Sequence, residues 1–142
     1  MIPPGARALR AALEGEGCGI LESAATSRGL GASLAAGVRH ARDADGWIVA
    51  LGDMPFIASA TFAAVAKALR DGALIAAPVH RMSKARGHPV GFSRKLFAEL
   101  EKLDGDEGAR SVILRHGADI SLIVVDDAGI TRDIDTPSDL PP

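Results

Sequence analysis

Asp53 stands directly behind an uninterrupted apolar run: Trp47-Ile48-Val49-Ala50-Leu51 leads into Gly52-Asp53-Met54-Pro55. An apolar run bounded by glycines is the pattern of a parallel strand buried on both faces, and it would deliver Asp53 to the strand's carboxyl end. Ligands of α/β sheets bind at that end, where loops and helix N-termini converge. A carboxylate there suits Mg²⁺, a hard cation held by one or two acids together with phosphate oxygens rather than by a full protein cage. The competing role for the same residue is to cap the turn ahead of Pro55.

Asp133 and Asp135 bracket Ile134 on what reads as an extended segment, so both carboxylates fall on one face. Thr136-Pro137 fixes the direction in which the chain leaves. One of the two acids is a candidate second metal ligand; alternatively, Asp135 merely precedes a helix and complements its dipole. Gly29-Leu30-Gly31-Ala32-Ser33 puts two glycines and a serine at a helix entrance, where bare backbone N–H groups can face a phosphate or a base, or form an ordinary capped turn. Gly87-His88-Pro89-Val90-Gly91 joins a basic loop to a short strand, with His88 a candidate ligand contact or a plain loop residue. Gly105-Asp106-Glu107-Gly108-Ala109-Arg110 exposes another helix start, fit to bind an anion or to cap.

The elements that must position these residues alternate between Ala-rich stretches of helical spacing and short apolar runs, which is the pattern of βα units. Helices are expected over residues 6–14, 32–41, 59–70, 94–103 and 107–116. The 59–70 helix carries Phe62, Val65, Ala66 and Leu69 on one face, with Gly72 as its terminator. Strands are expected over residues 18–21, 47–51, 74–79, 90–92 and 121–125. Residues 80–88 form a polar loop, and 126–129 a turn. Thr136, Pro137 and Asp139 announce a final helix that Pro141 and Pro142 hold to a turn at most.

The 142 residues, 47% of them hydrophobic, fit a single domain over 1–142. Basic and acidic residues, 16 and 18 of them, are interspersed, so no face is marked for nucleic acid or membrane and small molecules are the expected partners. A lone cysteine, Cys18, excludes an intramolecular disulfide framework and suits the cytoplasm. No apolar run approaches the roughly 20 residues of a membrane span.

Five motifs in order, GLGASL (29–34), ALGDMP (50–55), GHPVGF (87–92), GDEGAR (105–110) and DIDTPSDL (133–140), resemble those of the MobA-like nucleotidyltransferases. The branch most similar is that of the molybdenum cofactor cytidylyltransferases. The resemblance implies a three-layer Rossmann-like α/β fold with a mostly parallel sheet. It implies Mg²⁺-dependent transfer of a nucleotidyl group from an NTP to molybdopterin or a related phosphorylated acceptor, with release of pyrophosphate, in the service of a client molybdoenzyme. By the same resemblance Asp53 and Asp135 hold the metal, with Asp133 the alternative second ligand. Gly29, Gly31 and Ser33 lie against the nucleotide, and Gly87, His88 and Pro89 face the acceptor. GDMP and the acidic tail look like the cytidylyl branch, which favours CTP over GTP.

The family pattern opens with a strand and a glycine-rich loop, LAAGxSxRxG followed by a lysine, that wraps the triphosphate. Residues 1–5 are too short for it, and residues 6–14 look like the family's second helix, so the resemblance describes an N-terminally truncated domain. A missing central strand would leave an unpaired edge beside the 47–51 strand. Two other functions stay open: a non-catalytic, acceptor-binding or chaperone-like relative that has lost NTP handling, and a sugar-phosphate nucleotidyltransferase on the same fold.

Overall fold

The structure, a computed structural model, describes residues 1–139. Leu140, which closes the last motif, and the two prolines expected to end the final helix lie outside the described residues. The chain forms two compact units, residues 1–44 with 96–115 and residues 45–95 with 116–142. All four strands fall in the second of these units. No helix among the described residues is long and apolar enough to cross a membrane.

The first unit is helical. It contains α1 (Arg7–Glu14), α2 (Leu30–His40), α4 (Phe97–Leu100) and α5 (Arg110–Arg115), with a 3₁₀ turn at Ala24–Arg28. In α2 the buried residues Gly31, Ala32, Ala35 and Val38 recur every three or four positions, the stripe that a helix half sunk in a core requires. The strand expected over residues 18–21 does not form. Among the described residues that short run, interrupted by Gly19, has no neighbouring strand to pair with, and an isolated parallel bridge, Ile2 to Glu22, lies just beyond it. The helix expected over 107–116 begins only at Arg110, because Gly108 takes a φ of 56°, where a right-handed helix cannot run. The one expected over 94–103 is a 3₁₀ turn, Arg94–Leu96, followed by the single turn of α4.

The second unit holds the sheet: β1 (Gly46–Val49), β2 (Ile75–His80), β3 (Val90–Ser93) and β4 (Ile120–Val125), in the order β1-β3-β2-β4. β3 runs antiparallel to both β1 and β2, and β4 runs parallel to β2. Three of the four strands therefore point the same way. β1 stops at Val49 and is buried on one face only, with Trp47 8% exposed and Ile48 36%. It pairs with β3 along one edge, and among the described residues no strand covers the other, so the two-sided burial inferred from its composition is not reached.

Pro78 lies inside β2, where proline usually breaks a ladder. Its carbonyl accepts from Gly87 N–H at 3.1 Å, so its missing N–H faces the same side, beyond the point where the β2–β3 ladder has ended, and no sheet bond is lost. Helix α3 (Ser59–Arg70) packs across the sheet, with Val65 fully buried. The side chains of Val65 and Leu69 occupy the space that the absent Cβ of Gly91 leaves in β3. α3 ends as its sequence announces: Gly72 at φ 103° donates to Leu69 O and Ala73 N–H to Ala68 O, the paired bonds of a Schellman cap.

A candidate active site at the carboxyl edge of the sheet

Because β1, β2 and β4 point one way and β3 the other, a single edge of the sheet carries four chain segments. They are the Gly52-Asp53 turn after β1, the loop after β2, the Gly87-His88-Pro89 entry to β3, and residues 126–135 after β4. This is the edge at which α/β sheets bind ligands.

Residues 126–135 form a strap across that edge, and its fastenings explain how residues distant in sequence come together. At its start the Asp127 carboxylate accepts from Thr61 Oγ1 (2.6 Å), Ala58 N–H (2.9 Å) and Gly129 N–H (2.9 Å), tying the strap to the first turn of α3. Burial alone would push the Asp127 carboxyl up. The bonds from Thr61, Ala58 and Gly129, with His80 close by, outweigh burial and hold it below the usual carboxylate range. Gly129 follows, and a β-carbon there would overlap the Phe56 carbonyl. In mid-strap Ile130 O accepts from His88 N–H at 2.9 Å, and a β-carbon at Gly87 would collide with that same carbonyl. Arg132 stacks 4.0 Å above the centre of the Phe56 ring. The strap reaches Asp53 at Ile134, whose N–H donates to the Asp53 carbonyl at 2.8 Å.

That last bond sets the chemistry. Ile134 is half-buried while Asp133 and Asp135 on either side are exposed, so the two acids share the outer face of a segment pinned to Asp53, itself exposed. The Asp139 carboxylate holds the far end by accepting from Thr136 N–H (2.7 Å), Thr136 Oγ1 (2.9 Å) and Asp135 N–H (3.2 Å), and the bonds from Thr136 keep its carboxyl below the usual range. No basic side chain pairs with Asp53, Asp133 or Asp135 among the described residues. The donor set is hard carboxylate oxygen, which fits a hard divalent cation completed by phosphate oxygens. Among the described residues no group of three or more His, Cys, Asp or Glu side chains is placed so that it could hold a metal ion, so protein carboxylates here would supply at most two ligands.

The structure thus brings Asp53, Asp133, Asp135, Gly87, His88 and Pro89 to one edge of the second unit. His88 is half-buried, and its Nδ1 is buried without a hydrogen-bond partner. Gly29, Gly31 and Ser33 belong to the first unit. There Gly29, with φ 107°, caps α2, and a β-carbon on it would overlap Gly105 O and the Asp106 carboxylate. Gly31 N–H donates to Gly105 O at 2.7 Å, and the Arg28 guanidinium pairs with Asp104 at 3.1 Å. The GLGASL and GDEGAR motifs are therefore two halves of one contact. Sequence reasoning missed Thr61 and Arg132, and saw in Asp127 only a turn residue. The Asp127-Gly129 spacing signals the local turn, but nothing in the sequence signals a partner 66 positions away.

Residues 2–120 match the family model of the MobA-like NTP transferase domain. No curated protein sequence matches the chain. Among solved structures, Rv0371c from Mycobacterium tuberculosis H37Rv is similar at 31% identity and a TM-score of 0.71, the match covering 96% of this chain and 70% of that one. The same protein in complex with manganese matches at 27% identity and a TM-score of 0.70, covering 97% and 72%. Its homologue from Mycobacterium sp. strain JC1 matches at 29% identity and a TM-score of 0.66, covering 91% and 67%.

Proposed function

Since the chain belongs to the MobA-like NTP transferase domain family, we propose that it transfers a nucleotidyl group from an NTP, CTP in preference to GTP, to molybdopterin or a related phosphorylated acceptor in the cytoplasm, for delivery to a client molybdoenzyme. The observation that supports the reading is the bond from Ile134 N–H to Asp53 O, which joins the backbone of the two acid-bearing segments at the carboxyl edge of the sheet. Asp53 and Asp135 are the metal-holding pair, with Asp133 the alternative partner. Asp135 is favoured because its backbone is held by the Asp139 cap.

In the reaction an acceptor phosphate oxygen attacks the α-phosphorus, the bond from that phosphorus to the bridging β-phosphate oxygen breaks, and pyrophosphate leaves. Mg²⁺, when bound, neutralises charge on the phosphate oxygens. A similar protein has been solved in complex with manganese, which supports a role for a divalent cation. No protein nucleophile is needed, so the chain's contribution is positioning and electrostatics. Gly29, Gly31 and Ser33 are assigned to the nucleotide. Gly87, His88 and Pro89 are assigned to the acceptor, with the unpartnered His88 Nδ1 as a polar group still to be satisfied. The exposed thiol of Cys18 suits a reducing compartment.

Titration calorimetry with CTP and GTP, with and without Mg²⁺, tests the reading. CTP is expected to bind only with the metal and more tightly than GTP. Asp53→Asn, which keeps the backbone carbonyl that Ile134 needs, is expected to lose the metal-dependent binding at an unchanged thermal midpoint. Full Mg²⁺-dependent binding by that variant would contradict the assignment.

A further inference from the structure

Residues 72–98 contain no Asp or Glu, yet carry Arg81, Lys84, Arg86, Arg94 and Lys95. Three of these cations fall in the loop between β2 and β3, on the same sheet edge as the acids. The loop is a defined turn. His80 N–H donates to Ala85 O and Lys84 N–H to His80 O, each at 2.9 Å, and Ser83 N–H donates to the His80 ring at 3.2 Å. Arg86 forms an antiparallel bridge with Val79, and the next residue, Gly87, is locked against the strap at Ile130. Lys84 is held at φ 59°, a conformation rare for a residue with a long side chain and one that persists only where its surroundings impose it.

The three cations differ in one respect. Arg81 forks onto both oxygens of Asp126, at 2.8 and 3.1 Å, and is thereby neutralised. Lys84 and Arg86 are exposed and have no acidic partner among the described residues. Two unpaired cations are therefore fixed in backbone position immediately before Gly87-His88-Pro89, on the edge that also carries Arg132 over Phe56 and the unpaired carboxylates of Asp53, Asp133 and Asp135.

Such an arrangement answers an electrostatic problem in the proposed reaction. An acceptor phosphate must approach a triphosphate and two carboxylates, all negative, and fixed cations on the acceptor's side offset that repulsion. We infer that Lys84 and Arg86 bind the acceptor's phosphate and so hold the acceptor by its charged end. Arg86 supplies a planar fork matched to two phosphate oxygens, and Lys84 a point charge. The inference rests on the nucleotidyl-transfer reading and goes further in naming the residues that select the acceptor.

The test uses the full chain with inorganic phosphate as probe, followed by amide resonances in low salt without metal, and Mg²⁺–CTP binding measured separately by calorimetry. Phosphate is expected to shift the amides of residues 80–88. The double variant Lys84→Gln/Arg86→Gln is expected to weaken phosphate binding about tenfold or more and to leave Mg²⁺–CTP affinity within about twofold. Lys95→Gln, which removes a cation of the same acid-free stretch, is expected to change neither, and thermal midpoints confirm folding. Phosphate binding that is absent, unchanged in the double variant or equally weakened by Lys95→Gln would overturn the inference. So would parallel loss of Mg²⁺–CTP affinity in the double variant, because the cations would then serve the triphosphate. Failure of the unaltered protein to bind Mg²⁺–CTP would instead bring down the nucleotidyl-transfer reading itself.

Discussion

Asp127→Ala should loosen the strap that carries Asp133 and Asp135 without substituting any proposed ligand-binding side chain. The carboxylate accepts three hydrogen bonds, from Thr61 Oγ1, Ala58 N–H and Gly129 N–H. Their losses are unequal. Thr61 is only 3% exposed, so its hydroxyl would be left buried without a partner, at a cost of roughly 1–3 kcal/mol. The Ala58 N–H lies nearer solvent, where water replaces most of what is lost, whereas Gly129 is buried and its stranded N–H adds a comparable cost. The sum is about 3 kcal/mol, which lowers the urea midpoint by about 1–2 M for a typical slope. Thr61→Val should cost less, since it removes the stranded hydroxyl along with the bond. In the double variant the two effects should fall short of additive by about 1 kcal/mol, the signature of direct contact. Equilibrium urea unfolding of the four proteins, with calorimetric titration of Mg²⁺–CTP on each, reads both consequences. Asp127→Ala should weaken nucleotide binding although Asp127 is no ligand. A midpoint equal to that of the unaltered protein, or full additivity with Thr61→Val, would refute the strap as a structural device.

The same carboxylate dictates a pH dependence. Its folded pKa lies below its ordinary value of about 3.8, so the stability it contributes is present above that value and is lost as pH falls through it towards the folded pKa. Urea midpoints measured from pH 7 down to pH 3 should therefore fall more steeply for the unaltered protein than for Asp127→Asn. Gly87→Ala should cost about 1–3 kcal/mol by forcing Ile130 off the β3 entry, whereas Gly105→Ala, with open space around it and only its φ of 68° to strain, should cost about 1 kcal/mol; thermal unfolding separates them. Asp104→Ala should change stability by less than about 1 kcal/mol, because the ion pair it breaks leaves both side chains at least 60% exposed.

The parts of this fold legible in sequence are those set by local pattern. The bounds of α3 follow from the spacing of Phe62, Val65, Ala66 and Leu69 and from the left-handed Gly72 that ends it. β2, β3 and β4 follow from apolar runs bounded by turn residues. Thr136 and Asp139 meet as a cap because three residues is the reach of that motif. Errors arose where a local signal lacked its tertiary complement. Residues 18–21 are apolar enough for a strand but find no ladder to join among the described residues. Residues 47–51 have the composition of a doubly buried strand, yet among the described residues β1 has a neighbouring strand on one side only. The site divides in the same way. Asp53 and Asp135 were readable as acids at the ends of elements, and the bond that joins their segments was not, because it connects backbone groups 81 positions apart. Gly87 and Gly29 were readable as positions needing bare backbone, but the groups that approach them are the protein's own carbonyls rather than only a ligand.

Manganese substitution gives the most direct test of the central claim, that Asp53 and the Asp133–Asp135 segment together hold a divalent cation for nucleotidyl transfer. With Mn²⁺ and CTP added at substoichiometric metal, paramagnetic broadening should remove the amide resonances of residues 52–54 and 133–136 before all others. Asp53→Asn should abolish that selective loss with the rest of the spectrum unaltered. Broadening centred elsewhere in the chain, or the same pattern persisting in Asp53→Asn, would contradict the assignment.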